Sequence, residues 1–343
     1  MTRIAFAMEQ SLGNVTHYLN LRAAEDAASW MQARWVPIEY RPTRTPWAVG
    51  GSLDARKALK DVLPDVDVAF FHTTTIALLS PALMPRRPIV LSTDGTPNKR
   101  RMRRWYGLKD EGPIGSRVKR AIYRTVFRRA AGFVAWCEWT KTSLIEDYDV
   151  EPEQVAVIPP GIDLDQFQPG KAENPLPRLL FVGGDFVRKG GDLLLEVFRK
   201  RLRGRAELIL VTPAEVTPEP GVTVHRNVKA NTKALRDLFS SCDVFVLPTR
   251  GEVLPLAGME ALASGLPLVA TKVGGLPELV RDGETGRMIE VDDATALGDA
   301  LEQLITDAAL RKRMAAAARA DALERFDARK NALRVFEFIR SRA

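Results

Sequence analysis

Apolar residues along this chain gather into short continuous runs separated by stretches with helical spacing. In the first half the runs are Ile4–Met8, Trp35–Tyr40, Val66–His72, Ile89–Thr93, Phe133–Cys137 and Val155–Ile158. In the second they are Leu179–Val182, Leu208–Val211, Val222–His225, Val244–Leu247, Leu268–Thr271 and Met288–Val291. Runs of this length without alternation, rich in Val, Ile and Phe, suit strands buried on both faces of a parallel sheet. Helical patterns intervene at Val15–Trp30, Asp192–Arg203, Lys233–Ser241, Leu256–Ser264 and Ala294–Thr306. Strand–helix alternation repeated in two halves predicts two doubly wound α/β domains.

The break between them is written in proline. Pro159-Pro160-Gly161, and then the segment from Pro169 to Pro177, can continue neither periodicity. The reading places an N-terminal domain at 1–168, a second domain at 169–327 and an amphipathic closing helix within 328–343, carrying Leu333, Val335, Phe336 and Ile339. A length of 343 residues suits two cores rather than one. No stretch approaches the ~18 consecutive apolar residues of a membrane span. The Met1–Met8 run lacks the longer apolar core and cleavage site of a secretory signal, so it reads as a first strand. The two cysteines, Cys137 and Cys242, offer neither a disulfide framework nor metal spacing, which suits a cytoplasmic setting.

Charge changes the picture in one place. Residues 97–129 hold twelve Lys and Arg against Asp110 and Glu111, a local +10 in a chain of net +7. Within them 117–130 predicts a helix with Arg117, Arg120, Arg124 and Arg128 on one face. Val118, Ile122 and Val126 form a second stripe, expected to pack on the first sheet. Upstream, Lys99-Arg100-Arg101, Arg103 and Arg104 precede Trp105 and Tyr106, rings suited to a lipid headgroup boundary. An anionic membrane surface is the partner this segment suggests. Nucleic acid is disfavoured as a partner, because no reader motif and no interleaved aromatic run is present.

The chemistry concentrates between Val246 and Gly286: VLPTRGEVLPLAGMEALASGLPLVATKVGGLPELVRDGETG. A strand ends at Pro248, a polar loop follows, and a helix begins near Leu256. Ligands of open α/β sheets bind at the carboxyl ends of strands, and a helix start offers free amides to a phosphate. Glu252 falls in that loop and Glu260 about one turn into the helix. An ionised carboxylate only accepts hydrogen bonds, which suits clasping paired sugar or ribose hydroxyls. Asp65-Val66-Asp67 spells a metal-binding pattern but precedes its strand instead of ending it, so no metal site is assigned.

This segment resembles the signature of the retaining glycosyltransferases of family 4, which share the GT-B fold. The paired glutamates are followed by Gly274-Gly275-Leu276-Pro277-Glu278, Asp282-Gly283 and Gly286, as in the family. Val157 to Asp163 with Phe167 resembles its inter-domain segment, Leu180 to Gly190 its donor-phosphate loop, and Gly13-Asn14-Val15-Thr16-His17 its glycine-rich turn. The resemblance implies two Rossmann-like domains facing a cleft, a nucleotide-sugar donor, an unidentified acceptor and no required metal or other cofactor. It implies that Glu252 contacts the transferred sugar, Glu260 holds the ribose, and Arg188 and Lys189 neutralise the diphosphate. Gly13, Gly183 and the amides of Leu256 and Ala257 would border the donor's phosphates, and His72 would stand near the donor sugar. Three positions depart from the pattern. Gly184 stands where an Arg is common, Glu138 where Ser is common, and Gly13 is a lone glycine. Diphosphate binding therefore leans on Arg188 and Lys189. A nucleotide-sugar 2-epimerase of the same fold is the alternative activity.

Overall fold

A computed structural model describes residues 1–11, 13–41, 47–84, 86–97, 112–170 and 174–343. The described residues form two compact units, one of residues up to Gly161 together with Ala328–Ala343, the other Ile162–Asp327. The first contains β1 (Thr2–Gln10), α1 (Gly13–Ala23), β2 (Met31–Glu39), α2 (Trp47–Leu59), β3 (Val68–His72), β4 (Ile89–Thr93), α3 (Gly112–Phe127), β5 (Gly132–Ala135), α4 (Glu138–Tyr148) and β6 (Val155–Val157). The second contains β7 (Arg178–Val182), α5 (Gly191–Val197), β8 (Glu207–Val211), β9 (Val222–His225), α6 (Lys233–Ser241), β10 (Val244–Leu247), α7 (Leu256–Ala263), β11 (Leu268–Thr271), α8 (Leu276–Leu279), β12 (Gly286–Ile289), α9 (Ala294–Thr306) and α10 (Ala308–Arg325). A last helix, α11 (Ala328–Arg340), belongs to the first unit.

Each unit is built on a six-stranded sheet, ordered β2-β1-β3-β4-β5-β6 in the first and β12-β11-β10-β7-β8-β9 in the second. Every pairing between these strands is parallel. The first sheet shows why its strands read as unbroken apolar runs. Ala5, Ala7, Ala69 and Phe71 enter the core on one face, with α2, α3 and α4. Ile4, Phe6, Met8, Val68 and Phe70 enter the core on the other, with α1 and α11. Successive side chains of a strand alternate between faces, so burial of both requires an apolar residue at every position. Phe6 stacks on Trp35 at 4.2 Å and meets Phe336 of α11 edge-on at 5.7 Å. Burying a ring of this size contributes roughly 1.5–3 kcal/mol, so α11 is held by its aromatic and aliphatic face.

Several element bounds differ from the expected ones. α1 stops at Ala23 and a short turn at Glu25–Ala27 follows, because β2 pairs with β1 from Thr2↔Met31 onward and takes Met31–Arg34 into the sheet. β12 likewise starts at Gly286, paired with Leu268, two residues before the apolar run. The Phe133–Cys137 run leaves the sheet after Ala135, and Cys137 precedes the first residue of α4.

One expectation is overturned. The Val118–Ile122–Val126 stripe of α3 does not pack on the sheet as a unit. Val118 and Ile122 are 55% and 48% exposed, and only Val126 is buried, alongside Tyr123 and Phe127. The arginines explain the rotation. Arg120 pairs with Asp147 at 3.5 Å, and Arg124 with Asp149 at 3.0 Å, both carboxylates belonging to α4 or its C-terminal cap. Arg128 reaches Asp149 at 3.7 Å. Their face lies against α4, and the aliphatic stripe is left facing outward. The basic and aromatic cluster from Lys99 to Tyr106 lies outside the described residues. No helix among the described residues is long and apolar enough to cross a membrane.

Candidate functional site

In an open parallel sheet the crevice for ligands opens where neighbouring strands send their connections to opposite sides. In the second unit that point lies between β7 and β10, and in the first between β1 and β3. The expected site residues fall at these two points.

In the second unit the loop after β7 brings Lys189 Nζ to 3.0 Å from Glu252 Oε2, in the loop after β10. Arg188 Nη1 stands 3.7 Å from the same oxygen. All three side chains are about 15% exposed, so water screens the group weakly. Arg188 is also committed to backbone and carboxylate: Nη1 donates to Gly251 O at 2.6 Å and Nε to Asp185 at 3.1 Å. Burial by itself would raise the pKa of Glu252. The charges of Lys189 and then Arg188, with hydrogen bonds from Lys189 and the Val253 amide, outweigh it and hold the carboxyl below its usual value.

Two glycines make this approach sterically feasible. Gly183 ends the β7 side with its amide on Val211 O, and a Cβ there would meet the Phe181 ring at 2.7 Å and the Lys189 stem at 3.0 Å. Gly274, after β11, sits at φ +58, where a Cβ would stand 1.9 Å from Glu252 O. A side chain there would push the loop holding Glu252 away.

Glu260, on α7, is 4% exposed and has no hydrogen bond or ion pair to its carboxylate among the described residues. Burial pushes its pKa up to about 7, against the opposing pull of Lys189. Lys189 therefore acts electrostatically on both glutamates. Leu256 and Ala257 open the same helix after Pro255, and the first turn of any helix leaves its amides without intrahelical acceptors.

In the first unit His72 ends β3 fully buried. Its Nδ1 lies 3.1 Å from Ser92 Oγ on β4, and its Nε2 3.1 Å from Asn14 Oδ1 on α1. With the Asn14 carbonyl as acceptor, Nε2 carries the proton and Nδ1 accepts from the Ser92 hydroxyl. The ring stacks on Trp136 at 5.3 Å, and His17 packs against both rings. Burial, then the neighbouring His17, holds His72 well below the ordinary imidazole pKa. Burial takes His17 down to about 3. Neither nitrogen of His17 nor the Trp136 indole N–H has a hydrogen-bond partner. Beside this cluster Glu9, near the end of β1, accepts from Thr73 Oγ1 at 2.6 Å, Ser11 Oγ at 2.7 Å and Trp47 Nε1 at 3.1 Å. Gly13 is the first residue of α1, adjacent to Asn14.

The structure thus brings together Gly183, Arg188, Lys189, Glu252 and Glu260 in one unit, and Gly13 and His72 in the other. Sequence reasoning did not single out Glu9, Asn14, Ser92 or Trp136 as candidate site residues. Their signal was available, since each stands near or just beyond the carboxyl end of a strand of the first sheet. Asp67 pairs with Arg3 at 2.8 Å, and no metal-ligand cluster occurs among the described residues. Both cysteines are buried, and burial pushes the Cys242 thiol up to about 12.

Comparison with known proteins places this arrangement in a class. Residues 14–166 match the family described as Glycosyltransferase Family 4, and residues 176–307 match Glycosyl transferases group 1. The chain belongs to this glycosyltransferase family, and its two domains have the GT-B fold. It is 33% identical to a D-inositol 3-phosphate glycosyltransferase of Corynebacterium diphtheriae, over 51% of this chain and 48% of that protein. It is also 33% identical to an MMP alpha-(1->4)-mannosyltransferase of Mycolicibacterium hassiacum, over 57% of this chain and 48% of that protein. The chain spans about half the length of these curated relatives. Among solved structures, sucrose-phosphate synthase of Thermosynechococcus elongatus superposes with a TM-score of 0.80 at 18% identity, covering 99% of both chains. Anabaena HepE in complex with UDP and glucose superposes with a TM-score of 0.74 at 16% identity, covering 99% of this chain and 100% of that one.

Proposed function

We propose that this protein transfers a sugar, with retention at the anomeric carbon, from a nucleotide-sugar donor to an acceptor hydroxyl in the cytoplasm. The observation that carries the reading is the largely buried Lys189–Glu252 pair with Glu260 beside it, set at the switch point of the second sheet. Donor diphosphate would compete with Glu252 for Lys189. Its arrival would release the Glu252 carboxylate to accept from the sugar hydroxyls, while Glu260 accepts from the ribose. As the bond from the anomeric carbon to the diphosphate breaks, Lys189, Arg188 and the first amides of α7 stabilise the charge left on phosphate. The acceptor oxygen bonds to the same face, and its proton passes to the departing phosphate oxygen. Preorganised donors of this kind are each worth ~10²–10³ in rate. No metal or further cofactor takes part in the proposed mechanism.

A UDP-sugar is the first donor to test, because HepE structures hold UDP, glucose and UDP-glucose. The proposed acceptor is a lipid-linked or cell-envelope glycan precursor, and an anionic membrane surface reached through residues 97–129 would bring it to the enzyme. The relatives named above are transferases, which favours transfer over 2-epimerisation. A thermal-shift panel of nucleotides and nucleotide sugars tests the donor. A ligand at ~100 times its Kd stabilises by about 2.7 kcal/mol, whereas no stabilisation by any of them would defeat the reading. Release of a rearranged free sugar from donor alone would establish the epimerase instead.

A further inference from the structure

The loop after β10 carries a cation of its own, Arg250, two residues before Glu252. Its side chain is only 10% exposed and meets acceptors from three parts of the second unit. Nε donates at 2.6 Å to Asp292 Oδ1, beyond β12, and Nη1 donates at 2.7 Å to Asp192 Oδ1, in the first turn of α5. Nη1 also donates to the carbonyl of Val187, in the loop after β7. The backbone repeats this link. The Arg250 amide donates to Arg188 O at 2.8 Å, and Thr249 Oγ1 donates to the same oxygen at 3.2 Å. Gly190 completes the fit, since a Cβ there would stand 2.0 Å from Pro248 O. A planar fork of N–H groups can meet a carbonyl and two carboxylates at fixed angles, whereas an ammonium is a point charge and could not hold all three. The two carboxylates also offset the desolvation of a cation so far from water.

We infer that Arg250 is a positioning residue for the donor's diphosphate: it fixes the Val187–Lys189 backbone, and with it the charges of Arg188 and Lys189, before the donor arrives. The guanidinium is committed to protein acceptors, so it acts through the loop and not on phosphate directly. Arg188 and Lys189 have long side chains whose ordering opposes binding, and a loop already held in place lessens that cost. Arg250 belongs to the same loop as Glu252 and grips the loop that carries Lys189. One side chain thereby sets the spacing across the 3.0 Å Lys189–Glu252 pair. This role rests on Arg188 and Lys189 being the diphosphate's partners, as proposed above.

Calorimetry with whichever of UDP, GDP and ADP the wild-type chain binds most tightly tests this role. Arg250→Met should weaken that nucleoside diphosphate about tenfold, the scale of ordering two long side chains, and leave affinity for the corresponding nucleoside close to wild type. A purely structural role would lower the melting temperature without separating the two ligands. Arg250→Lys, which keeps the charge and loses the fork, should recover part of the affinity. Should Arg250→Met fail to fold, Asp292→Gly takes its place, because it removes one carboxylate and glycine suits the φ of 62° there. Its loss should be smaller and again confined to the diphosphate. Hydrogen exchange gives a readout that needs no ligand. The Lys189 and Gly191 amides, bonded to Asp185 O and Phe186 O, should exchange faster in Arg250→Met, while the Leu208 amide of β8 stays as in wild type. Arg201→Met is the matched control. Arg201 likewise meets two carboxylates, Asp299 and Glu302, and a carbonyl, Thr295 O, but it joins the segment after α5 to α9. Its loss should leave diphosphate affinity unchanged. Unchanged diphosphate affinity in Arg250→Met, an equal loss of nucleoside affinity, or an equal loss in Arg201→Met would overturn the role. A wild-type chain that binds no nucleoside diphosphate would instead defeat the transfer reading, and this role with it.

Discussion

Lys189 Nζ stands 3.0 Å from Glu252 Oε2, tying the loop after β7 to the loop after β10 across the point where the second sheet reverses its strand order. The pair is nearly dry, and Glu260 lies within its field on α7. Removing one partner of such a pair leaves a charge whose desolvation is no longer offset. The two glutamates differ because the lysine contacts only one of them. Glu252 is held ionised, whereas Glu260 is pushed to the edge of protonation at neutral pH.

Substitutions in this pair should separate binding from transfer. Lys189→Ala should weaken nucleoside diphosphate binding and lower turnover by ~10²–10³. Glu252→Gln should leave diphosphate binding near wild type while transfer falls. Calorimetry with UDP and a transfer assay measure the two effects. Wild-type transfer in both variants would remove this pair from the mechanism.

Glu260 gives a pH signature. Its folded pKa is raised to about 7 from 4.5, so it lowers stability progressively as pH rises through that window and is without effect below it. Glu260→Gln should therefore melt higher than wild type above pH 7 and converge with it near pH 4.5. The gap corresponds to about 3 kcal/mol at most, at about 1.4 kcal/mol per unit. Glu260→Gln should also weaken binding of free nucleoside diphosphate, because the ribose clasp is lost.

The histidine cluster should act in the opposite sense. His17 has a folded pKa near 3 instead of 6.5, so its contribution is complete above 6.5 and is lost as pH falls toward 3. His17→Phe should flatten that acid limb by about 1.4 kcal/mol per pH unit across the window. Denaturant titrations at several pH values, run on the His17 and Glu260 variants separately, distinguish the two groups.

Asn14→Ala should destabilise the first unit by ~1–3 kcal/mol, because it strands the His72 Nε2–H in a buried site. Transfer should fall with it, while UDP affinity changes little. Asn14→Asp, which keeps an acceptor at that position, should recover more of both than Asn14→Ala.

Gly274→Ala tests the loop that seats Glu252. The positive φ and the 1.9 Å approach to Glu252 O make any side chain strained there, so stability should fall by more than ~1 kcal/mol and transfer by more than stability alone explains. Chelator, by contrast, should leave transfer unchanged, and activity restored only by manganese would show a metal requirement.

Much of this was readable from the residues alone. Continuous runs such as Ile4–Met8 and Val244–Leu247 allow only strands covered on both faces, because a strand wet on one side would alternate. The strand–loop–helix from Val246 to Ala263 was legible because a polar loop carrying Arg250 and Glu252, and then Glu260, interrupts an otherwise apolar and small-residue stretch. Local pattern was weaker where a segment had no contrast of its own. The alanine-rich α10 and the short α4 were not anticipated, and their apolar faces are apparent only against the elements they cover.

What tertiary structure alone decided was orientation and partnership. Periodicity placed Val118, Ile122 and Val126 on one stripe and the arginines on another, but it could not say which stripe meets the protein. Asp147 and Asp149 settle that by drawing the arginines onto α4. Sequence spacing likewise could not pair Lys189 with Glu252, 63 positions apart, nor His72 with Asn14 and Ser92. A parallel sheet brings together the carboxyl ends of strands distant in sequence, so residues that never share a local pattern come to share one charge and one proton.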